Sequence, residues 1–294
     1  MLEAELTARK KRVNRTLLTL LRKSGAYKHF PKLDGSLQHT VLLDGKRLRP
    51  IMALLVYELF ESKNTKRVLE PACALELIHA GSLMLDDLPC MDNAATRRGK
   101  KTNHVMYGDA TTILASAALW IEAFHLLSDS TDDKAQELVR VTTQLVGKNG
   151  LVLGQYMDLF AFHKKQSLKD LQACYELKTG SLFLLAVEYG AILGHASPNE
   201  HAALRQFGAA FGLAYQIRDD IIDATQTEVE TGKDAQKDAA NGKPNYVSLL
   251  GTDKAKAALQ KELQKATQAL ITLEATHHRD TKLLHELTMS LALY

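Results

Sequence analysis

Leu85 to Gly99 reads LDDLPCMDNAATRRG. Three carboxylates, Asp86, Asp87 and Asp92, are followed by the adjacent guanidinium groups of Arg97 and Arg98. The run ahead of them, Leu75 to Leu85, holds a single charge, Glu76. Carboxylates that end an apolar, buried helix point into a cavity, where they are costly without cations. Mg²⁺ suits such a place, since it is usually held by one or two carboxylates plus substrate phosphates. Arginine supplies the planar fork that grips phosphate bidentately. An acidic run on a solvated helix gives the same letters, so a second feature must separate the two readings.

That feature is Gln216 to Asp223, QIRDDIID, which follows an uncharged run from Phe207 to Ile217. Asp219 and Asp223 stand four apart, so on a helix they share a face, separated along the axis by about 6 Å. Solvated acidic faces normally alternate with other polar residues, and neither stretch does. Two such clusters facing each other make a polynuclear metal site for a diphosphate.

Outward from these stretches the pattern is helical throughout. Leu2 to Lys23 is amphipathic, with Leu6, Val13, Leu17, Leu20 and Leu21 on one face. A second helix leads to Gly45, a third runs from Pro50 to about Phe60, and Pro71 opens a fourth that ends near Pro89. Further helical patterns cover about 105–127, 134–162, 168–195, 199–226, 252–275 and 279–292. No segment sustains a period-two strand pattern, and no repeat or linker stands out. The expectation is an all-α protein, one domain over residues 1–294, with a bundle around a central cavity.

The chain's 294 residues, 46% of them hydrophobic, can bury a sizeable core. A net charge of +3 gives no sign of nucleic-acid binding. Cys73, Cys90 and Cys174 are far apart and odd in number, which reads as free thiols in a reducing, cytoplasmic setting. The N-terminal residues have no apolar core of signal-peptide length. Ser181 to Leu193 contains Glu188 and is too short to span a bilayer, so stable membrane insertion is not expected.

Asp86 and Asp92 are six apart, which on an unbroken helix puts them on different faces. Pro89 lacks an amide donor and clashes with the preceding turn. Either a bulge at Pro89 brings the two acids to one side, or Pro89 ends the helix and Asp92 is loop surface; the bulge is the expectation.

The set of motifs resembles the trans-isoprenyl diphosphate synthases, the short-chain polyprenyl synthases. The matching pieces are GKRLRP (45–50), DDLPCMD…RRG (86–99), KTG (178–180), QIRDDIID (216–223) and the lysines of GKDAQKD and NGKPNY. The resemblance implies an isoprenoid synthase-type bundle, usually a homodimer, that joins isopentenyl diphosphate to an allylic diphosphate: dimethylallyl, geranyl or farnesyl. It implies three Mg²⁺ ions per active site, with Asp86, Asp92 and Asp219 as ligands. Asp87, Asp220 and Asp223 then orient metal-bound waters. Arg97, Lys178, Lys233 and Lys243 contact the allylic diphosphate. Lys46, Arg49, His79 and Arg98 match the pocket for isopentenyl diphosphate, although GKRLRP could be a basic surface turn and His79 a structural histidine. Thr179 and Gln216 match polar residues facing the allylic cation, or are ordinary packed polar groups.

Chain length turns on Gly81 and Ser82, just before Asp86 on the side where a hydrocarbon tail would run. Gly81 stands where bacterial farnesyl synthases usually carry an aromatic floor. The expected product is therefore C15–C20, geranylgeranyl ahead of farnesyl diphosphate, unless another helix closes the tube. The family's usual GDAL stands here as Ser116-Ala117-Ala118-Leu119, so Ala117 replaces an acid that the resemblance leads one to expect. A terpene cyclase is the nearest alternative but has no use for a second diphosphate pocket. A non-catalytic subunit of a heteromeric prenyltransferase typically loses one acidic cluster, and both are present here.

Overall fold

Helix α1 (Leu2–Lys23) buries Val13, Leu17 and Leu20, the i, i+4, i+7 stripe of an amphipathic helix. The computed structural model describes residues 2–23, 29–61, 64–129, 133–160, 167–225 and 243–293. These fall into two units, Met1–Leu54 with Lys63–Val139 and Leu55–Ser62 with Arg140–Tyr294.

In the first unit, α2 (Pro31–Leu42) opens on a proline, whose missing amide would have had no intrahelical partner anyway. Helix α3 (Leu48–Glu58) begins here and buries Ile51, Met52 and Leu54. Helix α4 (Lys66–Asp86) is the centre of the unit, with Ala72, Cys73, Ala74, Leu75, Leu77 and Ile78 all essentially inaccessible. Burial on nearly every side explains its all-round apolar sequence. It begins five residues earlier than expected, so Pro71 lies inside it rather than at its start. The buried Val68 and Pro71 ring hold this first turn against the unit's core and offset the lost hydrogen bond.

A two-residue ribbon follows, β1 (Thr96–Arg97) against β2 (Lys100–Lys101), too short to leave a period-two signature. Then come α5 (Asn103–Tyr107) and α6 (Asp109–Ser128). Buried Asn103 ties α2, α5 and α6 together. Its amide donates to Ser36 O (2.8 Å) and Thr40 Oγ1 (3.1 Å), and its Oδ1 accepts from Ser36 and Thr112. A fully satisfied polar node of this kind fixes packing geometry where apolar contacts alone would not. Helices α4 and α6 are long and apolar enough to cross a membrane; α4 spends that surface on the protein core.

The second unit holds most of α7 (Ala135–Val146), α8 (Leu151–Phe160), α9 (Leu168–Tyr175) and α10 (Ser181–Leu193). It continues with α11 (Pro198–Thr225), α12 (Tyr246–Leu250), α13 (Thr252–His277) and α14 (Lys282–Met289). The single helix expected over 134–162 is two, interrupted around Gly147 and Gly150. Between α9 and α10 the chain makes a π-helical turn, Glu176–Gly180, without leaving the helical path. Phe183, Phe207 and Phe211 form the aromatic centre between α10 and α11. The described residues are helical apart from the ribbon and connections, an all-α fold as the sequence requires.

Candidate active site

The first unit carries one acidic set and one cationic set. Helix α4 ends at Asp86, and the chain then folds back on the helix end. Asp92 N donates to Asp86 O (3.0 Å), Asn93 N to Leu88 O (3.0 Å) and Ala94 N to Asp87 O (3.2 Å). Pro89 therefore neither bulges the helix nor releases Asp92 to the surface. The helix stops, and a hydrogen-bonded return places the backbones of Asp86 and Asp92 against each other.

The ribbon brings Arg97 back to the same acids. Its turn residues Arg98 and Gly99 have φ of +53° and +72°, the left-handed pair that a two-residue hairpin turn demands and that glycine accommodates. Arg97 grips Asp87 with Nε 2.9 Å from both carboxylate oxygens and Nη2 2.5 Å from Oδ1. Asp86 Oδ2 lies 3.8 Å from the same Nη2. Burial pushes the Asp87 carboxyl above its usual range, and the Asp86 and Asp92 charges add to that; the bond to Arg97 works against both. Asp87 thus has both oxygens committed to holding Arg97, while Asp86 and Asp92 stand beside them.

The cationic set lies around His79. Arg49 Nη1 sits 3.2 Å from His79 Nε2, so Nε2 accepts and the ring proton belongs on Nδ1. That Nδ1 is buried and has no hydrogen-bond partner. Desolvation holds His79 well below the usual histidine pKa, and the charges of Arg49, Arg98 and Arg97 press it further down. Arg98's guanidinium lies against Gly45, where any side chain would displace it. Lys46 is exposed beside them. Arg47, by contrast, is a structural residue. It is buried, bonded to Glu76 (2.6 Å), Asn14 (2.8 Å) and the carbonyls of Val41 and Leu43.

In the second unit Lys178 and Lys243 converge on one carboxylate that the motifs did not single out, Asp158 on α8. Burial pushes Asp158 up, but the two lysines outweigh it and hold the carboxyl below its usual range. Gly154 makes this possible. A β-carbon there would overlap the backbone of Leu177 and Lys178, so only glycine lets α8 approach the π-helical turn. Such turns shift the helical register and often mark functional sites; this one carries Lys178 and Thr179.

Thr179 Oγ1 donates to Gln216 Oε1 (2.9 Å), and Gln216 Nε2 approaches Asp220 Oδ1 (3.3 Å). Asp220 is buried; its Oδ2 accepts from the Tyr175 hydroxyl (2.8 Å) and Tyr246 N (2.9 Å). The resemblance gives Asp220 a water-orienting role, yet its oxygens are already engaged in fixing α9, α11 and α12. Asp219 and Asp223 are half-buried on α11. Lys233 lies outside the described residues. Asp158 and Tyr175 were invisible to motif reading, since a lone acid and a tyrosine inside helical patterns carry no spacing signal; Tyr246 ends NGKPNY, a stretch in which only the lysine carries one.

The chain matches the polyprenyl synthetase family over residues 30–281. It belongs to that family. Farnesyl diphosphate synthase of Bacillus subtilis (strain 168) is 37% identical over 243 residues, 81% of this chain and 82% of that one. Geranylgeranyl pyrophosphate synthase 10, mitochondrial, of Arabidopsis thaliana is 39% identical over 232 residues, 76% of this chain and 67% of that one. The fold is shared with a Helicobacter pylori geranyltransferase solved with magnesium and isoprenyl diphosphate, at TM-score 0.82 and 31% identity, covering 98% of this chain and 96% of that one. The chain is therefore a short-chain prenyltransferase with the all-α isoprenoid synthase fold.

The residues fit a hard divalent cation. Every candidate ligand is a carboxylate oxygen, the donor type that Mg²⁺ prefers. Among the described residues no group of three or more His, Cys, Asp or Glu is placed to hold a metal alone. That agrees with an ion completing its shell from water and substrate oxygens.

Proposed function

We propose that the protein condenses isopentenyl diphosphate with a dimethylallyl, geranyl or farnesyl diphosphate and releases diphosphate. The carrying observation is that α4 presents two anion-binding chemistries. At its end Asp86 and Asp92 stand beside an Arg97 already braced by Asp87. Seven residues earlier, His79 sits among arginines with no carboxylate bonded to it. One suits a diphosphate brought with metal ions; the other suits a diphosphate held by guanidinium groups alone. A cyclase needs only the first.

Asp86, Asp92 and Asp219 would hold Mg²⁺, three ions in all, which would supply charge neutralisation for the departing diphosphate. Arg97, Lys178, Lys233 and Lys243 grip that diphosphate and keep the developing negative charge in place. Asp87 and Asp158 aim the cations. Lys46, Arg49, His79 and Arg98 hold isopentenyl diphosphate with its double bond toward the allylic carbon. The Thr179 hydroxyl, fixed by Gln216, turns its lone pairs toward the allylic cation, and Asp220 anchors Gln216. Asp223 supports Asp219 on the same face of α11. No protein nucleophile is required, and the proton leaves to the released diphosphate.

In this reading residues 1–294 work as one domain, as a homodimer in the cytoplasm, and make C15 to C20 products. The test is incubation with Mg²⁺, labelled isopentenyl diphosphate and each allylic diphosphate. Label appearing in longer prenyl diphosphates supports the reading. Consumption of the allylic substrate without isopentenyl diphosphate would point to cyclisation instead.

A further inference from the structure

We infer that Trp120, on α6, ends product growth by laying its indole across the gap that Gly81 leaves on α4. The inference rests on the prenyl-transfer reading above and adds to it the residue that sets chain length.

The diphosphate end of the product belongs at the C-terminal end of α4, with Asp86 and Asp92. Beyond that end the chain is polar, running through Asn93 and Thr96 to the two arginines. A hydrocarbon tail following α4 must therefore run back along the helix. Gly81 lies five residues before Asp86, about 7.5 Å along the axis. By sequence that position is open, since glycine has no side chain. The space is nonetheless taken. A β-carbon on Gly81 would lie 2.5 Å from Trp120 Nε1, 2.6 Å from its Cδ1 and 3.2 Å from Ser116 Oγ.

The ring is also held there. Trp120 Nε1 donates to Ile78 O at 3.1 Å, and Ser116 Oγ donates to Gly81 O at 2.9 Å. Both bonds use carbonyls that retain a second lone pair for the helix. A short hydroxyl at 116 is what reaches the Gly81 carbonyl; the acid that the resemblance leads one to expect falls at the next residue, Ala117. Trp120 stays partly accessible, so one side of a large, two-torsion side chain faces outward from the α4–α6 contact. A tail reaching Gly81 meets this ring rather than a cavity. Glycine at 81 and tryptophan at 120 are thus one device, a floor carried by the neighbouring helix.

The test compares product lengths, read by mass spectrometry of the prenyl alcohols, for wild type, Trp120→Leu, Trp120→Ala and Trp120→Ala with Gly81→Phe. We expect the mean product to lengthen by at least one five-carbon unit in Trp120→Ala, with Trp120→Leu between. Adding Gly81→Phe should return it to wild-type length or shorter, because the new ring occupies the same space from the other helix. Rescue of that kind would not follow if Trp120 merely supported the fold. Should Trp120→Ala fail to fold, Trp120→Leu preserves apolar packing and carries the comparison. Wild-type product lengths from a folded, active Trp120 variant overturn the inference while leaving prenyl transfer intact. Absence of any condensation product from the wild-type protein overturns both.

Discussion

Lys178 and Lys243 donate to the same atom, Oδ2 of Asp158, at 2.7 and 2.8 Å. Two like charges are brought together by one carboxylate, and both lysines keep about a quarter of their side chains accessible, 25% and 23%. They can therefore turn toward a diphosphate without leaving their anchor. Asp158→Asn keeps the shape but removes the charge that offsets their repulsion. We expect kcat/KM for the allylic substrate to fall about 10–100-fold, as for other residues that orient a binding group. KM for isopentenyl diphosphate should change little, and steady-state kinetics with each substrate varied checks both.

Asp87 is the corresponding anchor for Arg97. Removing one partner of a buried, hydrogen-bonded ion pair costs more than the pair itself contributes. Asp87→Asn frees Arg97 to swing onto Asp86, so the Mg²⁺ concentration for half-maximal rate should rise. If Arg97 grips the diphosphate as proposed, Arg97→Ala should cost about 10²–10³ in rate. A magnesium titration of each variant checks the order.

His79 gives a pH dependence. Its folded-state pKa is depressed by desolvation and then by Arg49 and Arg98, so the folded protein keeps it neutral. The unfolded chain takes up a proton near pH 6.5. Stability linked to His79 is thus present above about pH 6.5 and is lost as pH falls below it, by up to about 1.4 kcal/mol per pH unit. His79→Gln should flatten the difference in urea midpoint between pH 7.5 and pH 5.5. An unchanged difference would show that other histidines carry it.

Gly154 allows the approach that places Asp158 by Lys178. Gly154→Ala forces the two backbones apart. Overpacking of this kind costs about 1–3 kcal/mol, and here it should reduce activity more than stability because it opens the Asp158–Lys178 contact. Thermal melting alongside the kinetic assay separates the two effects.

What the sequence disclosed follows from where its signals were dense. Asp86, Asp87, Asp92, Asp219 and Asp223 close or follow apolar runs, and acids in that setting need cations. Asp158 sits in VLGQYMDLF, an ordinary amphipathic turn, and becomes visible only when Gly154 and the π-helical turn bring Lys178 to it. That turn leaves no trace because ELKTGS continues a helical pattern. Pro89 marked an irregularity, but one proline cannot distinguish a bulge from the backbone return that joins Asp92 N to Asp86 O. Gly81 left open whether another helix closes the tube: an absent side chain says nothing of Trp120, whose ring comes within 2.5 Å of where a β-carbon would stand.

In the proposed reaction the acids of α4 and those of α11 serve one allylic diphosphate. The most direct measurement is a double-mutant cycle on the condensation rate with Asp86→Ala, Asp219→Ala and both together. Residues that act as a unit are strongly non-additive. We expect a large loss from each single change and little further loss from the pair. Losses that multiply, or an Asp219→Ala variant as fast as wild type, would contradict this shared role.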